Sequence, residues 1–331
     1  MKVLIFGADG YIGWPLVMAL KDCVVSGLDS YVRRDVAHSI VPIELRDVPK
    51  GEMTLYGDVS LAIKNFQPDT IVHLAQQPSA AYSMKSMVNC LHTQVSNIVG
   101  TLHILYAMKE YAPKAHLIKI GTMGEYGTPD ELITEDYQNR DPGSWYHASK
   151  VHDSVNIKFA CKIWGLKATD IMQGIVYGIN GEPHTRLDVD ECFGTVVHRF
   201  CAQKAIGMPL TVYGDGSQKR SFLPLNDSIQ CLKLLIENPP EKGEYRVVNQ
   251  FHEIYSILDI ASKISDDIQF VGNPRREKMN RFYEVESKIL PALGYKPSSS
   301  LDQEIAKLIE ICRQYKDRIN PEDMMPIIRW N

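Results

Sequence analysis

Residues 2–13 read Lys2-Val3-Leu4-Ile5-Phe6-Gly7-Ala8-Asp9-Gly10-Tyr11-Ile12-Gly13, an apolar run followed by glycines at every third position. The apolar run predicts a buried strand, and residues 12–20 have the apolar spacing of a helix. Glycines in a strand-to-helix turn let backbone N–H groups approach a diphosphate closely. The turn therefore predicts a dinucleotide-binding loop whose contacts come from Gly7, Asp9, Gly10, Tyr11, Ile12 and Gly13.

A carboxylate at the end of the second predicted strand indicates which dinucleotide binds. Asp29 stands 19 residues after Gly10, where it can accept hydrogen bonds from the adenosine ribose and repel a 2′-phosphate. This favours NAD over NADP. Arg33 and Arg34 argue the other way, because arginines near this acid can hold a 2′-phosphate; we prefer stacking on adenine for one of them. Asp58 is a candidate for binding the adenine amine.

The order of the predicted strands and helices indicates a doubly wound α/β protein. Strands are predicted at 2–6, 24–28, 70–74 and 117–120, with helical patterns such as 88–110 between them. After about residue 175 this alternation is lost, and residues 253–264 read as one helix. We predict a Rossmann-type parallel sheet over 1–175, to which 221–250 return, and a smaller mixed α/β substrate domain over 176–220 and 251–331.

The composition excludes several classes of function. The 331 residues carry 36 Lys+Arg and 40 Asp+Glu, a net charge of -4, without a block of like charges, so nucleic-acid binding is not expected. No apolar run approaches the roughly 18 residues that span a bilayer. The 7 cysteines lack any C-x-x-C pair, which predicts reduced thiols and no metal site. With no signal-peptide pattern, we expect a cytoplasmic protein that does not bind membranes.

A second motif, Tyr146-His147-Ala148-Ser149-Lys150, carries reactive side chains. Its Y-x-x-x-K spacing places the phenol and the ammonium on one helix face, one turn apart. An ammonium near a phenol favours the phenolate, so we expect it to lower the pKa of Tyr146. With Thr122 after the strand at 117–120, these residues resemble the extended short-chain dehydrogenase/reductase family. The resemblance implies that Thr122, Tyr146 and Lys150 are catalytic.

Flanking runs resemble one branch of that family, the UDP-sulfoquinovose synthases. The resemblance rests on residues 29–34, Gly121-Thr122-Met123-Gly124-Glu125-Tyr126-Gly127, Gln173-Gly174-x-Val176-Tyr177-Gly178, Leu210-Thr211-Val212-Tyr213-Gly214 and Tyr315-Lys316-Asp317-Arg318. It implies NAD as cofactor and UDP-glucose and sulfite as substrates. It further implies oxidation at C4 of the sugar, elimination to a 4-keto-5,6-ene and addition of sulfite at C6. It also implies a homodimer, and it leaves room for a sulfite-delivering partner protein.

The resemblance implies a wider set of contacts. For the cofactor they include Asp58, Val59, Leu74, Ala75, Gln76 and Asn97, besides the residues named above. For the nucleotide sugar they are Thr122, Met123, Gly124, Glu125, Gln173, Arg186, Thr195, Arg199, Tyr213, Gln218, Arg220, Arg275 and Glu277. We expect His147 to bind sulfite or to move protons at C5 and C6, because imidazole titrates near neutrality.

Two features keep alternatives open. Pro78 stands where plant members of the branch carry an arginine, so either another group, such as Lys85 or His147, substitutes or the enone has a different acceptor. Met123 stands where related sugar 4,6-dehydratases carry an acid, and a thioether cannot donate a proton.

A UDP-sugar 4-epimerase would use the same Tyr146 chemistry without the elimination. A non-catalytic NAD-sensing scaffold is the remaining alternative, and it would need no such tyrosine.

Overall fold

The computed structural model describes residues 1–36, 39–44, 46–180, 185–275, 283–328 and 330, the side chains of residues 35 and 36 excepted. The largest element is a six-stranded sheet in which every neighbouring pair is parallel. Its strands are β1 (Lys2–Phe6), β2 (Val24–Leu28), β3 (Thr70–His73), β4 (His116–Ile120), β5 (Lys167–Gln173) and β9 (Tyr245–Gln250), in the spatial order β2-β1-β3-β4-β5-β9. The predicted Rossmann-type fold class is confirmed.

Helices connect these strands and continue through the second half of the chain. The α-helices of the described ranges are α1 (Gly13–Ala19), α2 (Val32–Val36), α3 (Tyr56–Phe66), α4 (Ala80–Met84), α5 (Met87–Gln94), α6 (Gly100–Tyr111), α7 (Trp145–Trp164), α8 (Val196–Ala205), α9 (Leu225–Glu237), α10 (Ile257–Ile264), α11 (Ile289–Ala292) and α12 (Leu301–Gln314). A π-helical turn spans Val95–Val99, and 3-10 turns span Met123–Glu125, Lys316–Arg318 and Pro321–Met324.

The large sheet is covered on both faces because its strands are apolar on both sides. Val3 and Ile5 of β1 belong to a core shared with α1 and α9. Leu4 and Phe6 belong to the opposite core, shared with α3, α6 and α7. Alternate side chains of a strand point to opposite faces, so a continuous apolar run is what a doubly covered strand requires. The carboxyl edge of the sheet is left for ligands.

The second half of the chain adds two small sheets to this frame. The first contains β6 (Ile175–Tyr177), β8 (Lys219–Pro224) and β10 (Glu253–Ser256), and the second contains β7 (Leu210–Tyr213) and β11 (Ile268–Val271). A separate core joins them to α8, α10 and α12. Of the segment predicted to return to the first domain, α9 and β9 pack on the large sheet, whereas β8 pairs in a small one. The domain limits stay predictions.

The prediction of one helix over residues 253–264 is wrong in its first turn. Residues 253–256 form β10, which pairs antiparallel with β8. The helix begins only at Ile257, because Ser256 caps it: its hydroxyl oxygen accepts the Asp259 N–H at 3.0 Å, and the Asp259 carboxylate accepts the Ser256 N–H in return. Pairing with a neighbouring strand therefore overrides the helical spacing of the preceding residues.

None of the helices in the described ranges is long and apolar enough to cross a membrane. Within the same ranges, no group of three or more His, Cys, Asp or Glu side chains is arranged to hold a metal ion.

Candidate active site

A cavity of about 650 Å³ lies along the carboxyl edge of the large sheet. Residues that follow five of its strands line one side: Gly7, Asp29, Leu74, Gly121 and Gly174. Residues of the second half close the other side, among them Arg186, Thr195, Arg220 and Arg275. Ligands of open α/β sheets bind at this edge. The cavity therefore brings the predicted cofactor loop and the predicted sugar contacts into one space.

The glycine loop between β1 and α1 has no room for side chains. Gly7 has φ +85°, and a Cβ there would lie 2.7 Å from the backbone of residues 74 and 75. A Cβ on Gly13 would lie 2.0 Å from the Gly7 carbonyl oxygen. The loop is thus bare backbone facing the cavity, together with Gly10, Tyr11 and Ile12. Such a surface fits the diphosphate of a dinucleotide.

The Asp29 carboxylate is fixed where the ribose of that dinucleotide is expected. It accepts the backbone N–H of Asp9 at 2.9 Å and of Tyr31 at 2.8 Å, and it lines the cavity. Burial raises the pKa of Asp29, and these two backbone hydrogen bonds oppose the rise. The two backbone bonds hold an acceptor at the end of β2.

The two arginines after Asp29 are both engaged by carboxylates of the chain. Arg34 donates two hydrogen bonds to Asp9, at 2.8 and 2.7 Å, and neither residue lines the cavity in the described part. Arg33 lines the cavity, pairs with Asp188 at 2.6 Å and stacks 3.5 Å over the Phe193 ring. These partners compete with a 2′-phosphate for both guanidinium groups. Adenine stacking by Arg33 stays a prediction.

Some of the other predicted cofactor residues line the cavity, and others support segments that line it. Leu74, Ala75 and Gln76 line the cavity, whereas Asp58, Val59 and Asn97 are not among its lining residues in the described ranges. Asp58 accepts the Glu52 N–H at 2.8 Å and so supports a loop that does line it. Asn97, in the π-helical turn, accepts the Gln77 N–H at 2.7 Å and donates to the Gln77 carbonyl.

The three predicted catalytic residues converge on the cavity. Thr122 follows β4, and Tyr146 and Lys150 lie one turn apart on α7. The Lys150 ammonium lies 5.5 Å from the Tyr146 ring centroid; it donates to the Ile120 carbonyl at 2.7 Å and also to Gln76 Oε1. The Thr122 side chain acts on the Tyr146 phenol and lowers its pKa, against the larger effect of burial, which raises it.

The electrostatics at Tyr146 differ from the sequence expectation. Burial raises the pKa of the phenol above its ordinary value, and the charge of Glu125 adds to the rise. Lys119 is the ammonium that opposes it most, followed by the Thr122 side chain. Burial lowers the pKa of Lys150 well below its usual range, and the like charge of Lys119 acts in the same direction. Lys119 on β4 therefore supplies the lowering of the Tyr146 pKa that the sequence assigned to Lys150.

Around this centre the small residue Gly124 makes room for His147. A Cβ on Gly124 would lie 2.3 Å from His147 Nε2, so the imidazole rests against bare backbone at the cavity wall. Met123 also lines the cavity and packs with Tyr283. Glu125 is fully buried and does not line the cavity in the described part of the chain. A substrate contact by Glu125 stays a prediction.

Some of the predicted sugar contacts line the cavity, and others do not. Gln173 lines the cavity and donates to Ser228 Oγ at 3.1 Å and Gln250 Oε1 at 2.8 Å, and Arg186, Thr195, Arg220 and Arg275 line it as well. Arg199, Tyr213 and Gln218 are not lining residues in the described ranges, but they form a layer behind Arg275. In that layer Arg199 donates to the Tyr213 hydroxyl at 3.1 Å, and the Arg275 guanidinium lies 5.9 Å from the Tyr213 ring. Glu277 lies outside the described residues.

The sequence interpretation missed two residues that line this cavity, and a third, Lys119, that supports the catalytic residues without lining it in the described ranges. Asp188 and Phe193 line it and hold Arg33, although about 155 residues separate them from it in the chain. No local pattern marks such a pairing. Lys119 did carry a signal, because a lysine in the middle of a buried strand is unusual and requires partners.

The fold and this cavity are those of an NAD-binding enzyme. The chain matches the NAD dependent epimerase/dehydratase family over residues 3–249 and belongs to that family. Two relatives named UDP-sulfoquinovose synthase are each 37% identical to it. The protein from Spinacia oleracea, described as chloroplastic, aligns with 99% of this chain and 79% of its own length; that from Sulfolobus acidocaldarius aligns with 100% and 98%. The resemblance inferred from the sequence is confirmed.

Solved structures show the same architecture. The UDP-glucose 4-epimerase of Thermus thermophilus, in complex with NAD, superposes with a TM-score of 0.76, covering 95% of this chain and 99% of that one at 24% identity. The UDP-glucuronic acid 4-epimerase of Bacillus cereus, in complex with UDP-glucuronic acid and NAD, superposes with a TM-score of 0.78 at 24% identity and the same coverage. These structures show the fold, while the family match and the two synthase relatives identify the chain as an NAD-dependent enzyme.

Proposed function

We propose that this enzyme converts UDP-glucose and sulfite to UDP-sulfoquinovose and water. The observation that carries the proposal is the convergence of Thr122, Tyr146, Lys150 and His147 on one cavity of about 650 Å³ that also contains Asp29 and Arg275. Its volume is within the usual range for ligand sites. The identity to synthases along the whole chain supports the same activity.

The first step assigns a role to each catalytic side chain. NAD+, when bound, supplies the acceptor for the hydride of sugar C4 and its return at the end of the cycle. Tyr146 takes the proton of the C4 hydroxyl, and Thr122 holds that hydroxyl through a hydrogen bond. Lys150, anchored on the Ile120 carbonyl, binds the nicotinamide ribose and supports Tyr146.

The later steps take place at C5 and C6 of the sugar. The 4-ketone acidifies the C5 hydrogen, and we assign its removal to His147, which rests against Gly124 at the cavity wall. The C6 hydroxyl leaves as water after taking a proton, and the C5=C6 bond conjugates with the ketone. Sulfite then forms the C6–S bond while C5 regains a proton. The reaction consumes no net oxidant.

The binding of sulfite needs a cation or donor near C6. Pro78 lines the cavity and cannot provide one, and Lys85 is not a lining residue in the described ranges. Of the two groups that the sequence suggested, His147 lines the cavity, and we propose it for sulfite alongside its role at C5. A sulfite-delivering partner protein and a cytoplasmic location stay predictions.

Mass analysis of the products from UDP-glucose tests the proposal. With sulfite, we expect a sugar in which sulfonate replaces the C6 hydroxyl; without it, we expect a bound 4-keto-5,6-ene, because elimination needs no nucleophile. His147→Ala is expected to reduce sulfonated product more than formation of NADH, followed by absorbance in a single turnover. Release of UDP-galactose without sulfonated sugar would support the epimerase alternative and reject the synthase.

We also propose that the enzyme is a homodimer. The neighbouring helices α5 and α7 carry exposed apolar side chains, among them Met87 (74% exposed), Val88 (70%) and, on α7, Val155 (60%) and Phe159 (58%). On α7 these two residues are four apart and form one stripe. A second copy of the same helix pair would cover this stripe and the exposed apolar residues of α5, and self-complementary interfaces of this type are the commonest in soluble oligomers.

Light scattering of the purified protein tests the dimer. Phe159→Asp is expected to shift the mass from dimer to monomer, because a carboxylate would be buried without a partner. Lys158→Glu, a charge change beside it on the same helix, is the control and should stay dimeric. A monomeric wild type would contradict the proposal.

A further inference from the structure

A lysine is fully buried in the middle of β4. The Lys119 ammonium lies 3.2 Å from Glu125 Oε1 and 3.1 Å from Asp170 Oδ1, and all three side chains have no exposed surface. We call these three residues the ionic triad. Removing such charges from water is costly, so a buried ion pair is weak evidence for a stabilising role. What the triad touches indicates a different role.

One arm of the triad fixes the backbone at Thr122. Glu125 Oε1 accepts the Thr122 N–H at 3.1 Å, while Thr122 Oγ1 accepts the Gly124 N–H at 3.2 Å. The two residues form a capping box on the 3-10 turn Met123–Glu125. Gly121 allows this approach, because a Cβ there would lie 2.6 Å from Glu125 Oε1. The direction of the Thr122 side chain thus depends on Glu125.

The other arm reaches the catalytic helix. Lys119 donates to the Lys150 carbonyl oxygen at 3.2 Å and to Ser154 Oγ at 3.0 Å, both on α7. The Ser154 hydroxyl lies 2.9 Å from Glu125 Oε2 and 2.5 Å from Asp170 Oδ2. The Tyr245 hydroxyl donates to Asp170 at 2.6 Å from the opposite side. The triad therefore joins β4, β5 and β9 to the helix that carries Tyr146.

The charges of the triad also act on the phenol. Burial lowers the pKa of Lys119, but Asp170 and Glu125 outweigh burial and raise it above its usual value, so the ammonium stays charged. Glu125, and after it Asp153, raise the pKa of Tyr146, while Lys119 lowers it. Lys150 and His147 also face the Tyr146 ring, at 5.5 and 5.3 Å.

We propose that the ionic triad is a positioning unit of the reaction, in which Glu125 holds Thr122, Lys119 holds α7, and the charges of these two residues set the electrostatic potential at the Tyr146 phenol. The proposal rests on the proposed function only for the role of Tyr146 as the base. Within the described ranges, none of the three residues lines the cavity. Loss of the triad should therefore change the pH dependence of oxidation more than the retention of NAD.

The test compares two substitutions that remove the same charge. Glu125→Gln keeps an oxygen that can accept the Thr122 N–H, so it is expected to shift the pH profile of C4 oxidation downward by on the order of one pH unit. Asp170→Asn is the matched control and should shift the profile less. Lys119→Met should shift the profile upward. The absorbance of NADH after mixing with UDP-glucose, without sulfite, measures oxidation at C4. The amount of bound NAD shows whether each variant is folded.

A readout without substrate separates this proposal from the proposed function. The ultraviolet phenolate absorbance of the Glu125→Gln variant, minus that of the double variant Glu125→Gln, Tyr146→Phe, reports the ionisation of Tyr146. This difference should appear at lower pH than the difference between wild type and Tyr146→Phe. This result would support the triad even if UDP-glucose did not react. Equal shifts for Glu125→Gln and Asp170→Asn, or an unmoved phenolate transition for Glu125→Gln, would overturn the proposal, whether or not Lys119→Met folds.

Discussion

Tyr146→Phe is expected to lower turnover by about 10²- to 10⁴-fold while the protein retains its NAD, because loss of a general base has this effect on a rate. The ring of phenylalanine still fills the space beside Lys150 and His147, so the cavity keeps its shape. What is lost is the oxygen that takes the proton of the C4 hydroxyl. KM should change little, since the hydroxyl acts mainly in the transition state.

Steady-state turnover and the nucleotide released on denaturation measure the two halves of this prediction. Tyr177→Phe is the matched control, because it also removes one buried hydroxyl, for which the described residues offer no hydrogen-bond partner. It should leave turnover at the wild-type value. A loss of less than about tenfold for Tyr146→Phe would show that another group is the base.

Gly13→Ala should remove most of the bound NAD. The added Cβ would lie 2.0 Å from the Gly7 carbonyl oxygen and 3.0 Å from Ala8 Cα. Both contacts are with backbone, so no side-chain rotation can relieve them, and the loop has to open where the diphosphate is expected. The nucleotide content of the purified variant, measured after denaturation, gives the result directly.

Gly57→Ala provides the control for this substitution. Gly57 lies in the first turn of α3, where a Cβ meets nothing within 4 Å, and alanine suits a helix better than glycine. Its NAD content should equal that of wild type. Gly10→Ala, whose Cβ would lie 3.1 Å from the Gly7 oxygen, gives a milder strain if Gly13→Ala fails to fold. Full NAD occupancy in both loop variants would contradict the assignment of the cofactor loop.

The sequence by itself determined the parts of this protein that depend on near neighbours. The apolar run of β1 and the glycines after it are one continuous stretch, and steric exclusion at Gly13 acts within that stretch. Tyr146 and Lys150 are one helical turn apart, so their common face follows from helix geometry. The place of Asp29 follows from the length of one strand-helix-strand unit. Local geometry was sufficient for each of them.

Only the tertiary structure decided which of the predicted residues line the cavity and which charged partner each of them contacts. Arg34 turns to Asp9 in the loop after β1. Arg33 turns to Asp188, because folding brings a loop of the second half beside α2. Residues 253–256 became a strand because β8 lies alongside them. Lys119, Glu125 and Asp170 gather behind Thr122 because β4 and β5 are neighbours in the sheet. The contacts of Arg33 with Asp188 and of Lys119 with Asp170 join residues far apart in the chain, and they depend on the arrangement of strands and loops, which no local pattern specifies.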